Sequence, residues 1–382
     1  MRVLLVGVGG AGCRIVDSIY DHDINSPIRC TEGIAIDRDA EALDALPTLP
    51  RENRIFYQPL DPGQTAASLP SDLIVTKLQN LNPGDIDAII VCAGLGGRLA
   101  GGIQPLVRRV KESMFEPVFG LFTLPCAKEG DYILGLAADG LDSLLPETDG
   151  IILFDNDLFP VVCPLEEGPK EPADGGIKKR ITLRKTGKEI EDSPPGHSEM
   201  NTAIAKQINL LLHAGEAGDK PGMETGEVAL DAGEILNTMK GMGCIAIGYA
   251  RDTVPVTNPD IINRLRPATS SLQDSHQKAQ RLVEIARRAI AEGMSIACDP
   301  SMAEKALILI AGPPHELSMR GYMTVRHWID RSIRGQEVRS GDYPVKNTRY
   351  IAVLVILAGL ENVTKITEIR RIRDAVKKST GS

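Results

Sequence analysis

The sequence has no surplus of basic charge. Its 43 Lys and Arg residues are outnumbered by 51 Asp and Glu, for a formal net charge of −8. That balance excludes broad nucleic-acid binding through a basic face. No apolar run approaches the length of a bilayer span, which argues against direct membrane insertion. Met1 leads straight into a strand-like run and leaves no room for a signal peptide. The seven cysteines, at 13, 30, 92, 126, 163, 244 and 298, are odd in number, scattered and form no CxxC pair. They read as reduced, mostly buried thiols of a cytoplasmic protein rather than as disulfides or a zinc site, and no metal-ligand set is expected. What remains is a chain of 382 residues, 42% apolar and 25% charged, with the composition of a globular protein and the length of two domains.

The stretch MRVLLVGVGGAGCR organises the rest. Val3 to Val6 form an apolar run of the kind found in buried parallel strands. Gly7, Gly9, Gly10 and Gly12 follow at once, and Ile15, Val16, Ile19 and Tyr20 then recur at helical spacing. A strand, a glycine turn and a helix start make an anion-binding device. Glycines let the backbone approach a phosphate, and the unpaired N–H groups of the helix N-terminus point at it. A tight turn that needs glycine only for its dihedrals is the simpler alternative.

Strand-like runs at 33–37, 87–92, 118–123 and 151–154 alternate with helical ones at 103–114 and 132–145. This predicts a doubly wound parallel sheet with ligands at the carboxyl ends of its strands. Polar residues cluster just after those ends, at Asp37–Asp39, Gly94–Gly102, Glu129–Gly130 and Asp155–Asn156. Residues 163–198, rich in Pro, Gly and charge, read as a surface insertion. Ile204, Ile208, Leu211 and Leu212 mark a central helix. Beyond it, strands at 244–250, 306–311 and 350–357 and helices at 275–292 and 317–333 predict a second α/β domain. A short basic helix then ends the chain. The predicted divisions are 1–198, 199–230, 231–362 and 363–382.

Gly7-x-Gly9-x-x-Gly12 followed by Asp37 also fits a dinucleotide site, with Asp37 on a ribose. A second glycine cluster, AGLGGRLAGG at 93–102, favours a mononucleotide triphosphate gripped from two sides. With that cluster the chain resembles the tubulin/FtsZ family of GTPases, in particular its divergent archaeal FtsZ/CetZ-like members. GVGGAGC is similar to the family's first phosphate loop. AGLGGRLAGG stands where its glycine-rich signature belongs, LFTLPCAKEG resembles its TKPFxFEG, and FDND its PND. LDAGEILNTMKGMGCIAIG at 230–248 is similar to the FtsZ stretch at the start of the second domain.

The resemblance implies a Rossmann-like GTP-binding domain, a central helix and a second domain of the tubulin C-terminal type. It implies GTP or GDP as ligand, with Mg2+ carried on the nucleotide, and head-to-tail assembly with further copies of the same chain into filaments. The nucleotide-binding residues carried over are Gly9, Gly10, Ala11, Gly12, Cys13, Arg14, Asp37, Asp39, Gly94, Gly96, Gly97, Arg98, Leu99, Ala100, Gly101, Gly102, Glu129, Asn156 and Asn201. Asp231 and Glu234 correspond to the acids that orient water against the terminal phosphate of the neighbouring subunit's GTP. Asp231 also stands at capping-box spacing from Glu234, and the two roles are compatible.

The chain departs from the family at several points. Arg98 replaces a signature glycine, and Leu99 a threonine whose hydroxyl serves phosphate or metal. Arg98 either supplies charge to the phosphates or obstructs the cradle. Arg14 and Asp37 stand where asparagines are usual, and Ile133 lies near the place of a missing arginine. The third phosphate loop has only DPGQTAAS at 61–68 as its candidate. The acidic linker and apolar end peptide of FtsZ are missing, which argues against a division-ring role through the usual adaptors. Slow hydrolysis coupled to assembly, or a scaffold that does not hydrolyse, are the two outcomes this pattern allows.

Overall fold

In the computed structural model the described residues are 1–58, 68–81, 85–159, 197–216, 228–254, 269–335, 337–346 and 348–380. Residues 61–67 of the candidate third loop lie outside them, as does the 163–198 insertion except for 197 and 198, which open a helix.

Among the described residues ten strands form one sheet: β1 (Val3–Val8), β2 (Thr31–Asp37), β3 (Arg54–Phe56), β4 (Ala88–Gly94), β5 (Val118–Leu124), β6 (Gly150–Asp155), β7 (Cys244–Thr253), β8 (Lys305–Gly312), β9 (Glu337–Pro344) and β10 (Tyr350–Ala358). Their order is β3-β2-β1-β4-β5-β6-β7-β10-β8-β9. The first six are parallel and doubly wound, as the alternating pattern predicts. β7 continues parallel to β6, β10 runs antiparallel to both β7 and β8, and β9 lies parallel to β8 at the edge.

Strand side chains alternate between faces, so the sheet divides the core in two. On one side Leu4, Val6 and Val8 join α4 (Ile103–Ser113), α5 (Asp131–Leu144), α8 (Thr269–Ala291), α9 (Met319–Asp330) and α10 (Thr364–Thr380). On the other, Val3 and Leu5 join α1 (Gly9–Ile24), α6 (His197–Ala214) and α7 (Ala232–Met239). The short α2 (Ala40–Asp44) and α3 (Ser71–Leu81) complete the described helices. The central helix buries Ile204, Ile208, Leu211 and Leu212, and Asn209 ties it to α1 by donating to the carbonyl of Ile19 at 3.0 Å. No helix among the described residues is long and apolar enough to cross a membrane.

β6 and β7 are joined by only two residue pairs, Ile151 with Cys244 and Ile152 with Ile245. Beyond them the strands part around Ser295. Asp155 N donates to the Ser295 carbonyl at 2.7 Å, Ser295 N to the Ile247 carbonyl at 2.7 Å, and Ile247 N to Ser295 Oγ at 2.9 Å.

The expectation of reduced thiols needs one correction. Cys13, Cys30, Cys92, Cys244 and Cys298 are free, but Cys126 is disulfide-bonded. The count and spacing of the cysteines do not by themselves reveal such a bond.

Candidate functional site

The glycine turn sits where the sequence places it. β1 runs into α1 through Gly9, whose φ of +70° is the left-handed conformation that favours glycine. No side chain caps α1 and no acid lies in its first turn, so its N-terminus is open to an anion. Gly12 lets the helix lie against β4, for a Cβ there would stand 2.0 Å from the Cys92 carbonyl oxygen. Cys13 is buried, and its thiol lies 3.4 Å from the Ile36 carbonyl oxygen. Burial pushes this thiol far above its ordinary range. Its side chain is structural, which leaves its backbone to serve a ligand.

Arg14 folds back over this turn. A Cβ on Gly10 would lie 3.2 Å from Arg14 Nη1 and 3.7 Å from Asp37 Oδ2. The Nε of Arg14 is buried with no hydrogen-bond partner. Asp37 Oδ1 accepts from the amides of Arg38 (2.6 Å) and Asp39 (3.3 Å), while Asp39 caps α2 through Ala42 N at 3.1 Å. Both acids are therefore partly occupied by their own backbone.

The second glycine segment meets the first. A Cβ on Gly94 would stand 3.2 Å from Ala11 Cβ. The backbone then closes successive turns, with Gly97 N donating to Gly94 O, Ala100 N to Gly97 O, and Gly102 N to Leu99 O, at 3.0–3.1 Å. Gly96 abuts Ile133, and Gly101 and Gly102 lead into α4. Leu99 is 5% exposed and would lie 4.0 Å from a Cβ on Gly9. Arg98 is exposed and has no hydrogen bond or ion pair among the described residues. The alternative in which it pairs with Asp39 is not seen.

The remaining residues stand at the ends of β5, β6 and α6. Glu129 Oε1 accepts from Cys126 N at 2.8 Å, which holds its side chain against its own turn. Asn156 is 7% exposed, and its Oδ1 meets no hydrogen-bond partner. Asn201 is buried in the first half of α6. Lower on α6, His213 bonds Asp23 at 2.8 Å. Asp23, Cys30 and His213 bring one donor atom each within 4.8 Å of one another. The Asp23 carboxylate is already satisfied by the amides of Cys30 and Thr31 and the Thr31 hydroxyl, so this cluster is a buried hydrogen-bond network.

Asp231 and Glu234 lie elsewhere. Asp231 Oδ1 accepts from Glu234 N at 2.7 Å and caps α7. Instead of returning to complete the box, Glu234 Oε1 pairs with Arg339 Nη1 at 3.3 Å, and Arg339 Nε with Glu337 at 3.2 Å. Ile235 of α7 and Met1 both crowd Gly215, at 2.9 and 3.0 Å from its Cβ position. α7 thus stands beside the amino end of β1, about 20 Å along that strand from the glycine turn at its carboxyl end. Sequence reasoning missed Arg339, and also Lys365, which pairs with Asp155 and Asp157 beside Asn156. Nothing local to either residue announces a partner more than a hundred positions away.

Comparison with known proteins assigns both halves of the chain. The model of the Tubulin/FtsZ family, GTPase domain, matches residues 2–164, and that of the Tubulin-like CetZ, C-terminal domain, residues 190–375. Tubulin-like protein CetZ3 of Haloferax volcanii is 29% identical over 385 residues, covering 97% of this chain and 91% of its own. The CetZ of Pyrococcus horikoshii is 25% identical over 399 residues, covering 99% and 92%. Among solved structures, the GDP-bound monomer of CetZ1 from Haloferax volcanii superposes with a TM-score of 0.73 at 25% identity, covering 99% of this chain and 100% of that one. The GTPγS-bound protofilament of CetZ2 from the same organism gives 0.75 at 24% identity, with both chains wholly covered.

Proposed function

The chain belongs to the tubulin/FtsZ family, in its CetZ-like branch, and from that premise we propose that it binds GTP and assembles head to tail into cytoplasmic filaments. The observation that carries the binding half is the contact of Ala11 with Gly94 at the uncapped start of α1, which brings two glycine segments together around one anion site. The orphaned Arg14 Nε and Asn156 Oδ1 fit a ligand that is anionic at one end and carries N–H donors at the other. In this assignment residues 1–198 hold the nucleotide, 199–230 form the central helix and its loop, and 231–362 the second domain.

The N–H groups of Gly9 to Gly12 face the phosphates, with Gly94 and Gly96 to Gly102 opposite and Arg14 and Arg98 supplying positive charge. Asp37 and Asp39 stand at the edge, Glu129 takes the ribose, and Asn156 and Asn201 take the base. Mg2+ arrives with the nucleotide. GTP supplies the phosphoanhydride to be cleaved. Asp231 and Glu234, at the opposite end of β1, face the glycine turn of the next subunit, where a carboxylate orients the attacking water. Hydrolysis is slow, because Leu99 offers no hydroxyl where the family has one. Assembly without hydrolysis is the second reading, favoured by the burial of Leu99 over Gly9.

Calorimetric titration with GTP, GDP, ATP and NAD tests the proposal. Binding of GTP and GDP in preference to ATP and NAD is the expected result. Binding of NAD alone would overturn it.

A further inference from the structure

A cation from the far end of the chain holds the turn that carries Asn156. Three backbone amides pin the turn. Asp155 N donates to the Ser295 carbonyl at 2.7 Å, Asp157 N to Asp155 Oδ1 at 3.0 Å, and Phe159 N to the Asn156 carbonyl at 3.1 Å. The Asp157 carboxylate accepts from Ala127 N at 3.1 and 3.2 Å, and Ala127 opens the short turn that bears Glu129. Lys365, in the first turn of α10, is 6% exposed and ion-paired with both Asp155, at 3.5 Å, and Asp157.

Two carboxylates therefore share one buried ammonium. Burial opposes the charge on Lys365, but the hydrogen bond to Asp157 and the attraction of both acids outweigh it and hold the lysine above its ordinary range. Burial pushes Asp155 up despite its partners. Closing a turn does not require a buried charge, and taking one out of water is costly. Between these over-satisfied neighbours the Asn156 Oδ1 has no hydrogen-bond partner among the described residues. Lys365 thus connects, through Asp157, the turn bearing the ribose candidate Glu129 with the turn bearing the base candidate Asn156.

We propose that Lys365 is a positioning residue for the nucleoside, so that the C-terminal helix sets purine discrimination without touching the ligand. The proposal rests on the nucleotide assignment above. Guanine presents a ring N–H and an amine to a fixed acceptor, and adenine has no such ring donor. An acceptor held still by Lys365 rejects adenine, and a loosened one does not. The phosphate side is built on other strands and is left unchanged.

Calorimetry on the full chain with GTP, GDP and ATP tests this in Lys365→Met and Lys365→Arg. Lys365→Met is expected to bind GTP about tenfold more weakly, the loss of one hydrogen bond to the base. Its GTP-to-ATP ratio should fall toward unity and its GTP-to-GDP ratio should stay at the parent value. Lys365→Arg keeps the cation and most of the discrimination. Asp157→Asn keeps the Lys365–Asp155 pair and serves if Lys365→Met does not fold; it should lose discrimination in part. Retention of the parent GTP-to-ATP ratio in Lys365→Met, or in Asp157→Asn where only that protein folds, overturns the proposal. So does a parallel fall of both ratios. A parent that binds no nucleotide instead overturns the assignment on which the proposal stands.

Discussion

Gly12 approaches the carbonyl oxygen of Cys92 so closely that a Cβ at position 12 would lie 2.0 Å from it, whereas a Cβ on Gly10 would meet only side-chain ends, the guanidinium of Arg14 and the carboxylate of Asp37. The two glycines therefore answer to different constraints, one to packing and one to the ligand. Gly12→Ala pushes α1 off β4 and should cost about 1–3 kcal/mol, the usual range for overpacking, seen as a lower urea midpoint. Gly10→Val displaces a flexible arginine, so it should keep the parent midpoint and lose GTP affinity. A folded Gly10→Val that binds GTP as the parent does would place the cradle elsewhere.

Arg98 has no protein partner among the described residues and stands inside the second glycine segment. Arg98→Gly should weaken GTP binding on the order of tenfold or more, as expected for a charge-assisted contact to phosphate. Tighter binding by the variant would identify Arg98 as an obstruction.

Glu234 is tethered to Arg339 in the single chain, and in the proposed assembly it meets the nucleotide of another copy. A contact between unlike surfaces propagates into a filament unless its rotation closes a ring. Phosphate release per subunit should rise with protein concentration, and Glu234→Ala should abolish it with nucleotide affinity unchanged and longer-lived pellets. A parent rate that is flat with concentration and indifferent to Glu234→Ala would exclude the shared site.

Asp23 gives a pH prediction. Burial alone would raise this carboxyl, but the hydrogen bonds from His213, Cys30 and Thr31 hold it below the ordinary aspartate range. A depressed carboxyl stabilises the fold fully above the unfolded pKa of about 3.9 and loses that contribution as pH falls through the folded value. Asp23→Asn should lower the urea midpoint at pH 7 and converge on the parent as pH drops toward 2. A gap that stays constant over that range would show that the carboxylate charge contributes nothing.

The first half of the fold was legible because β1, β4, β5 and β6 are buried almost throughout and read as apolar runs between helical ones. β9 was not, since EVRSGDYP mixes charge, glycine and proline, as edge strands do. β3 is three residues long and gives no periodic signal. At the candidate site, the glycines and the Asp231 cap followed from local spacing. The contact of Ala11 with Gly94 did not, nor did the pairing of Glu234 with Arg339 or of Lys365 with Asp157. Each joins residues far apart in sequence, and charged partners so separated leave no pattern in the chain.

The two-pair junction of β6 and β7 has a mechanical meaning. Its flanking seams hold six pairs between β5 and β6 and nine between β7 and β10. The sheet is therefore most compliant along that one line, and flexure concentrates there as it does at a score in a stiff card. Ser295 is wedged into the score and bonded to both sides. Ser295 thus links the antiparallel half directly to the amide of Asp155, one residue before Asn156.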